Sequence, residues 1–246
     1  MQKTDGRKCM FCDGAPLTVE HAFPQWLSKV VPGDGNFTNV QVLPRRASRR
    51  TPLMDIRVRA VCAACNDGWM SRLEAAAKPL LSPMIRGEVS TFSPSDQRTI
   101  AAWAVKTAIV LQATGPARDI PSSHGRRLRE RGGAPPGVAV GVGHYVGEVS
   151  AMYGATRLYI LPDDAREHEL PSRQDPRFGY RATICVGHLA LQAFQFEMTQ
   201  FVDPAFGMPP VPPFLLVWPG LRPVVRWPPA VPIDDRLLKA LVERAA

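Results

Sequence analysis

No apolar run in this 246-residue chain approaches the roughly 18 to 20 residues needed to span a bilayer. The opening stretch, Met1 to Lys8, is polar and mixed in charge, and it lacks the apolar core of a secretory signal. A soluble, cytoplasmic protein with no membrane partner is therefore expected. Acidic residues are in deficit: 22 Asp and Glu stand against 30 Lys and Arg, giving a net charge of +8. A pI near 9.6 favours a polyanionic partner such as nucleic acid, although a merely basic surface gives the same balance. Cysteine is scarce too, at five residues, and without an export signal a disulfide framework is not expected. What is plentiful is apolar residues, at 45%, which exclude a disordered chain and supply a core for one large or two modest domains. Proline is also abundant, and nine of the 25 prolines fall between Met208 and Pro232, a stretch that reads as an irregular wrap.

The chain divides into two parts by pattern. Residues 1–90 hold the motif chemistry, and residues 91–246 read as an α+β domain of unassigned role. In the first part, Leu17–His21 is a short strand, Phe23–Val31 a short helix and Ile56–Val61 a strand of alternating character. A helix beginning near Cys65 is expected to stop at Pro79. In the second part, Ser93 caps a helix whose first position is Pro94, with Ile100, Trp103, Ala104, Ala108 and Leu111 on its buried face. A basic helix over Ser122–Arg131 follows. Strands are then expected over 138–146, 155–161, 180–187, 189–198 and 214–218, mostly antiparallel. Asp234–Arg244 reads as a final amphipathic helix.

Four of the five cysteines form two pairs, Cys9-Met10-Phe11-Cys12 and Cys62-Ala63-Ala64-Cys65. Each pair presents two thiolates at the spacing a tetrahedral Zn²⁺ takes. A four-cysteine site has no open position for water, so its role is to hold structure. The gap between the pairs is 49 residues, long for a plain zinc ribbon, so something is inserted between the knuckles. Cys185 stands alone in an apolar run and reads as a buried structural thiol.

Within the gap lies Val19-Glu20-His21-Ala22-Phe23-Pro24, and just past the second pair lies Asn66-Asp67-Gly68-Trp69. Here the sequence resembles the HNH, or His-Me finger, nuclease family over roughly residues 8 to 75. In that family an acidic residue followed by His ends a strand, and a helix starting at a CxxC supplies a His or Asn. The resemblance implies a ββα-metal module clamped by the cysteines, with His21 as general base and Glu20 and Asn66 as ligands of a catalytic Mg²⁺ or Mn²⁺. Imidazole suits proton transfer at neutral pH, and the two oxygen ligands suit a hard cation. It also implies a middle Asn that orients the base, for which Asn39 is the candidate and Asn36 the alternative. Two departures stand out: Glu20 replaces the commoner Asp, and Cys62 lies 23 positions beyond Asn39.

The loop Arg45-Arg46-Ala47-Ser48-Arg49-Arg50, with Arg57 and Arg59 on one face of the next strand, reads as a phosphate-contacting surface. Residues 1–90 carry 13 Lys and Arg against 8 Asp and Glu, so much of the net charge sits there. A second cluster, Arg126, Arg127, Arg129 and Arg131, could extend the track. DNA is the expected partner, with RNA as the other polyanion of the same charge pattern. A monomer with one site should nick, whereas a homodimer could cut both strands. The alternative function is a zinc-stabilised nucleic-acid-binding module that has lost cleavage.

Overall fold

The computed structural model describes residues 8–31, 36–41, 47–52, 56–115, 119–159, 178–196 and 213–243. It is a mixed helix and strand fold whose sheets are mostly antiparallel. Strand β1 (Leu17–His21) pairs antiparallel with β4 (Arg57–Cys62) in a small sheet of its own. A 3₁₀ turn over Gln25–Lys29 follows β1, shorter than the helix expected over Phe23–Val31. The insertion between the cysteine pairs contributes β2 (Asn36–Gln41) and β3 (Ala47–Pro52), which pair with each other. β2 also runs parallel to β7 (Ala151–Tyr159), so the insertion extends a sheet built mainly by the second half of the chain. That sheet is completed by β6 (Val138–Tyr145), β8 (Phe178–Val186), β9 (Leu189–Phe196) and β10 (Leu215–Trp218), in the order β10-β6-β9-β8-β7-β2-β3. A second small sheet joins β5 (Ser90–Phe92) to β11 (Val225–Trp227), and β12 (Pro232–Ile233) runs parallel to β6.

After β4 comes α1 (Ala63–Cys65), a π-helical turn over Asn66–Met70, and then α2 (Ser71–Ile85). Pro79 does not stop this helix: both Pro79 and Pro83 lie inside it. Each proline removes a bond to the carbonyl four residues back, at Ala75 and Pro79, and costs about 3 kcal/mol in an ordinary helix interior. Ala75 and Pro79 are exposed, so the prolines fall on the solvent side of the helix, while Ala77, Leu81, Met84 and Ile85 bury the opposite face.

α3 (Pro94–Leu111) starts as expected, with a reciprocal capping box between Ser93 and Asp96. It is more deeply enclosed than an amphipathic helix, because every residue from Ile100 to Leu111 is buried. It packs against α2 on one side and β6, β8, β9 and β10 on the other. One hydrophobic cluster therefore runs from Phe11 and Phe23 through Trp103 to Val140 and Leu191, continuous across residue 90. α4 (Ser122–Arg131) matches its expected span. It reaches the cysteine module: a Cβ at Gly125 would collide with the Met10 carbonyl, so glycine permits this close approach. Its His124 is buried with Nδ1 3.1 Å from the Tyr180 hydroxyl. Burial, helped by nearby Arg127, pushes that imidazole down to about 4. α5 (Asp235–Glu243) closes a second cluster with Leu238, Leu241 and Val242 against Tyr145 and the buried Cys185.

Among the described residues, no helix is long and apolar enough to cross a membrane.

Candidate metal centre and adjoining cleft

The first cysteine pair sits in a turn that reverses at Asp13, whose φ of 58° lies in the left-handed region. Asp tolerates this region better than most residues do. Asp13 N–H donates to the Cys9 carbonyl and Cys9 N–H to the Gly14 carbonyl, both at 3.0 Å. Met10 N–H donates to the Ala60 carbonyl at 3.0 Å, which ties the turn to β4. Cys62 ends β4, and Cys65 follows at the end of α1. All four Sγ atoms lie within 4.8 Å of one another, and Cys12 Sγ is 3.5 Å from both Cys62 Sγ and Cys65 Sγ. The cysteines are free thiols.

A tetrahedral ion with bonds of about 2.3 Å to sulfur has sulfur–sulfur edges of about 3.8 Å. Two edges of the cluster are 3.5 Å and none exceeds 4.8 Å, so these four cysteines could hold a metal ion such as zinc. A Cβ at Gly14 would come within 3.1 Å of Cys12 Sγ, so the glycine leaves the sulfurs their space. Burial acts to raise the Cys12 thiol, but the Gly14 backbone N–H and the neighbouring sulfurs outweigh it and bring it down to about 7. Burial holds Cys65 well above the ordinary thiol range, opposed by the Trp69 indole. Trp69 in turn packs edge-on to Phe11, with ring centroids 5.1 Å apart.

The β1–β4 ladder carries the cluster at one end and the Glu20-His21 pair at the other. Leu17 is opposite Cys62, whereas His21 is opposite Arg57. Between Thr18 and Glu20 the register shifts by one residue, and such bulges re-aim the side chains beside them. Thr18 Oγ1 donates to Glu20 Oε1 and lies 3.0 Å from the Val61 carbonyl. Across from this strand end, Asn66 opens the π-helical turn, which is kinked at Gly68 (φ −92°, ψ −110°). Glu20, His21 and Asn66 all line one open cleft of about 390 Å³. Asp67, Gln25 and Ser71 add further polar groups to it. Asn66 Nδ2 donates to Asp67 Oδ1 at 3.3 Å, which leaves the Asn66 amide oxygen available.

Two further charged residues line this cleft, Glu74 from α2 and Lys106 from α3. Glu74 Oε2 accepts from Trp26 Nε1 at 3.0 Å and from Trp103 Nε1 at 2.8 Å. Glu74 Oε1 accepts from Lys106 Nζ, an ion pair whose side chains are 18% and 4% exposed. Lys106 Nζ also sits 5.4 Å from the centroid of the Trp103 ring. Trp26 belongs to the turn directly after His21, and α2 directly follows the Asn66 turn. Glu74 thus bonds the segment carrying His21 to the segment carrying Asn66.

The remaining expected site residues are spread elsewhere. Asn39 lies in β2, opposite Tyr153 of β7 and Arg49 of β3, and Asn36 begins the same strand. The side chains of Asn36, Asn39, Arg49 and Arg50, and the whole of Arg45 and Arg46, fall outside the described residues. Arg57 and Arg59 are both exposed on one face of β4, as their alternation implies. Arg126 of α4 pairs with Asp13 of the cysteine turn at 3.1 Å, and its neighbours Arg127, Arg129 and Arg131 are exposed.

The sequence alone assigns no functional role to Asp67, Glu74, Lys106 or Trp26. A signal for Lys106 was present: it is the lone charge in the apolar run Ile100 to Leu111. Such a residue is almost never buried without a partner. No protein-family model, curated protein or solved structure matches the chain.

Proposed function

We propose that this protein is a metal-dependent endonuclease of the HNH type that hydrolyses DNA phosphodiester bonds. The observation that carries the reading is the meeting of Glu20, His21 and Asn66, 45 residues apart along the chain, in one cleft beside the cysteine cluster. The donor set fits a hard divalent cation, since Glu20 and Asn66 offer oxygen and no sulfur. Asp67 offers a further carboxylate on the same wall. A Mg²⁺ or Mn²⁺ ion held there supplies charge neutralisation at the phosphate and the departing oxygen.

His21 accepts a proton from the attacking water as the water oxygen bonds to phosphorus and one P–O ester bond breaks. His21 is half-buried at a strand end, close enough to solvent to take up water and release the proton afterwards. Thr18 steadies the Glu20 carboxylate by its hydrogen bond. Glu74 positions both walls through the two indoles and Lys106.

The cysteine cluster is, in the same proposal, a closed Zn²⁺ site that fixes β4 and the start of the helix carrying Asn66. The exposed Arg57 and Arg59, with the Arg45–Arg50 segment, supply sequence-independent phosphate contacts. The test is nicking of supercoiled plasmid by the purified protein. Open-circular product should form with Mg²⁺ or Mn²⁺ and stop on chelation of those ions. Cleavage that continues after their complete removal would overturn the metal assignment.

A further inference from the structure

We infer that Lys106 is a substrate ligand in the cleft: its ammonium contacts a non-bridging oxygen of a bound phosphodiester. This deepens the nuclease reading and rests on it for the identity of the substrate. Lys106 is 3% exposed, the one charge in the buried C-terminal half of its helix, yet it lines the same cleft as His21. An ammonium has three N–H donors. Among the described residues, one bond is made, to Glu74 Oε1.

Glu74, by contrast, is well satisfied, with Lys106 on one oxygen and two indoles on the other. The two spare donors of Lys106 are therefore the unfilled part of the network. The charge inventory of the cleft points the same way. Its walls carry three carboxylates, Glu20, Asp67 and Glu74, and Lys106 is the resident cation beside them. A divalent ion on Glu20 and Asn66 and the Lys106 ammonium together only balance these three carboxylates, so a phosphodiester anion is admitted where both positive charges face it.

Stability alone gives no reason for the pair. Burying two charges costs more desolvation than their attraction returns in most settings, and two apolar side chains of similar volume commonly do as well or better. A compact ammonium behind a single phosphate oxygen is the chemistry lysine suits. Glu74 is then a positioning residue, holding Lys106 charged and aimed.

Lys106→Met alone leaves Glu74 buried and unpaired and is expected to destabilise the protein. The double variant Glu74→Gln with Lys106→Met removes both charges, while the new side-chain amide oxygen can still accept from the two indoles. Two readouts are needed. One is plasmid nicking with Mg²⁺. The other is titration with dimethyl phosphate in the presence of Mg²⁺, followed by the NMR signals of the Trp26 and Trp103 indole N–H groups, which needs no cleavage.

The double variant should fold, with both indole signals retained. It should nick with kcat/KM lower by about 10²-fold, the scale of losing one preorganised donor. It should bind dimethyl phosphate weaker by about 10-fold or more. Lys106→Arg, which keeps the charge, should retain part of both. A double variant that nicks and binds like the parent would reduce Lys106 to neutralising Glu74, and the inference would fall while the nuclease reading stood. A parent that never nicks, but binds dimethyl phosphate through Lys106, would remove the nuclease reading and leave the phosphate contact supported.

Discussion

The cysteine cluster and the cleft hang on the same two segments, β1 and the β4-to-α2 stretch, yet they are finished in opposite ways. At the cluster end, Cys9, Cys62 and Cys65 are 1%, 6% and 1% exposed, and four sulfurs fill the coordination of any ion they hold. At the other end, Glu20, His21 and Asn66 are half-buried and Asp67 is exposed, around an open cleft that mixes carboxylate, amide and imidazole groups. A closed, soft, buried site suits a permanent ion that organises the chain. An open, hard-ligand site suits an exchangeable ion, water and a substrate. On the proposed function, the arrangement separates the two tasks: one end fixes the geometry, and the other stays accessible because its geometry is fixed from behind.

If that division holds, damage at the two ends should differ in kind. The largest effect is expected from Cys62→Ser. It removes one of four thiolates at the end of β4, and zinc binding of this type is part of folding free energy. Elemental analysis should show the loss of about one zinc per chain, and thermal unfolding should lose its cooperative transition. Retention of a parental melting curve would place the cluster outside the folding core.

A smaller effect, confined to chemistry, is expected at Asn66→Ala. The fold and the zinc content should be kept, while nicking falls and is partly restored by raised Mg²⁺, as for a missing metal ligand. A rate deficit that no Mg²⁺ concentration alters would argue against a ligand role. Smaller still is the effect at the surface. Alanine at both Arg57 and Arg59 should weaken DNA binding regardless of sequence. The plot of log affinity against log salt should flatten by roughly 0.9 for each phosphate that is no longer neutralised. An unchanged slope would return the two arginines to a solvated strand face.

The part of this design that was legible in the sequence is the part set by local rules. The span of β1, the Ser93 cap and the α4 boundaries follow from alternation, capping and turn chemistry within a few residues. The two CxxC pairs and the Glu20-His21 dipeptide announced the cluster and one wall of the cleft. The pairing of β2 with β7 was not legible, because its partners are more than 100 positions apart and strand register carries no local mark. β5 and β11 escaped for the same reason. Pro79 misled because a helix penalty of a few kcal/mol is outweighed when the face opposite it is buried. Lys106 carries a local mark, as the lone charge in an apolar run, but Glu74 reads as an ordinary helical charge. Their meeting depends on how α2 crosses α3, which no short window of sequence records.

The central claim, that the open end of this ladder performs general-base hydrolysis, is tested most directly by His21→Ala in a plasmid-nicking assay run beside DNA binding and zinc content. Water is deprotonated only as it attacks phosphorus, so His21 acts in the transition state and contributes little to ground-state affinity. The account predicts a rate lower by roughly 10² to 10⁴-fold, with zinc, melting behaviour and DNA affinity close to parental. Nicking by His21→Ala at the parental rate would contradict it, leaving a nucleic-acid-binding module whose cleft has another use.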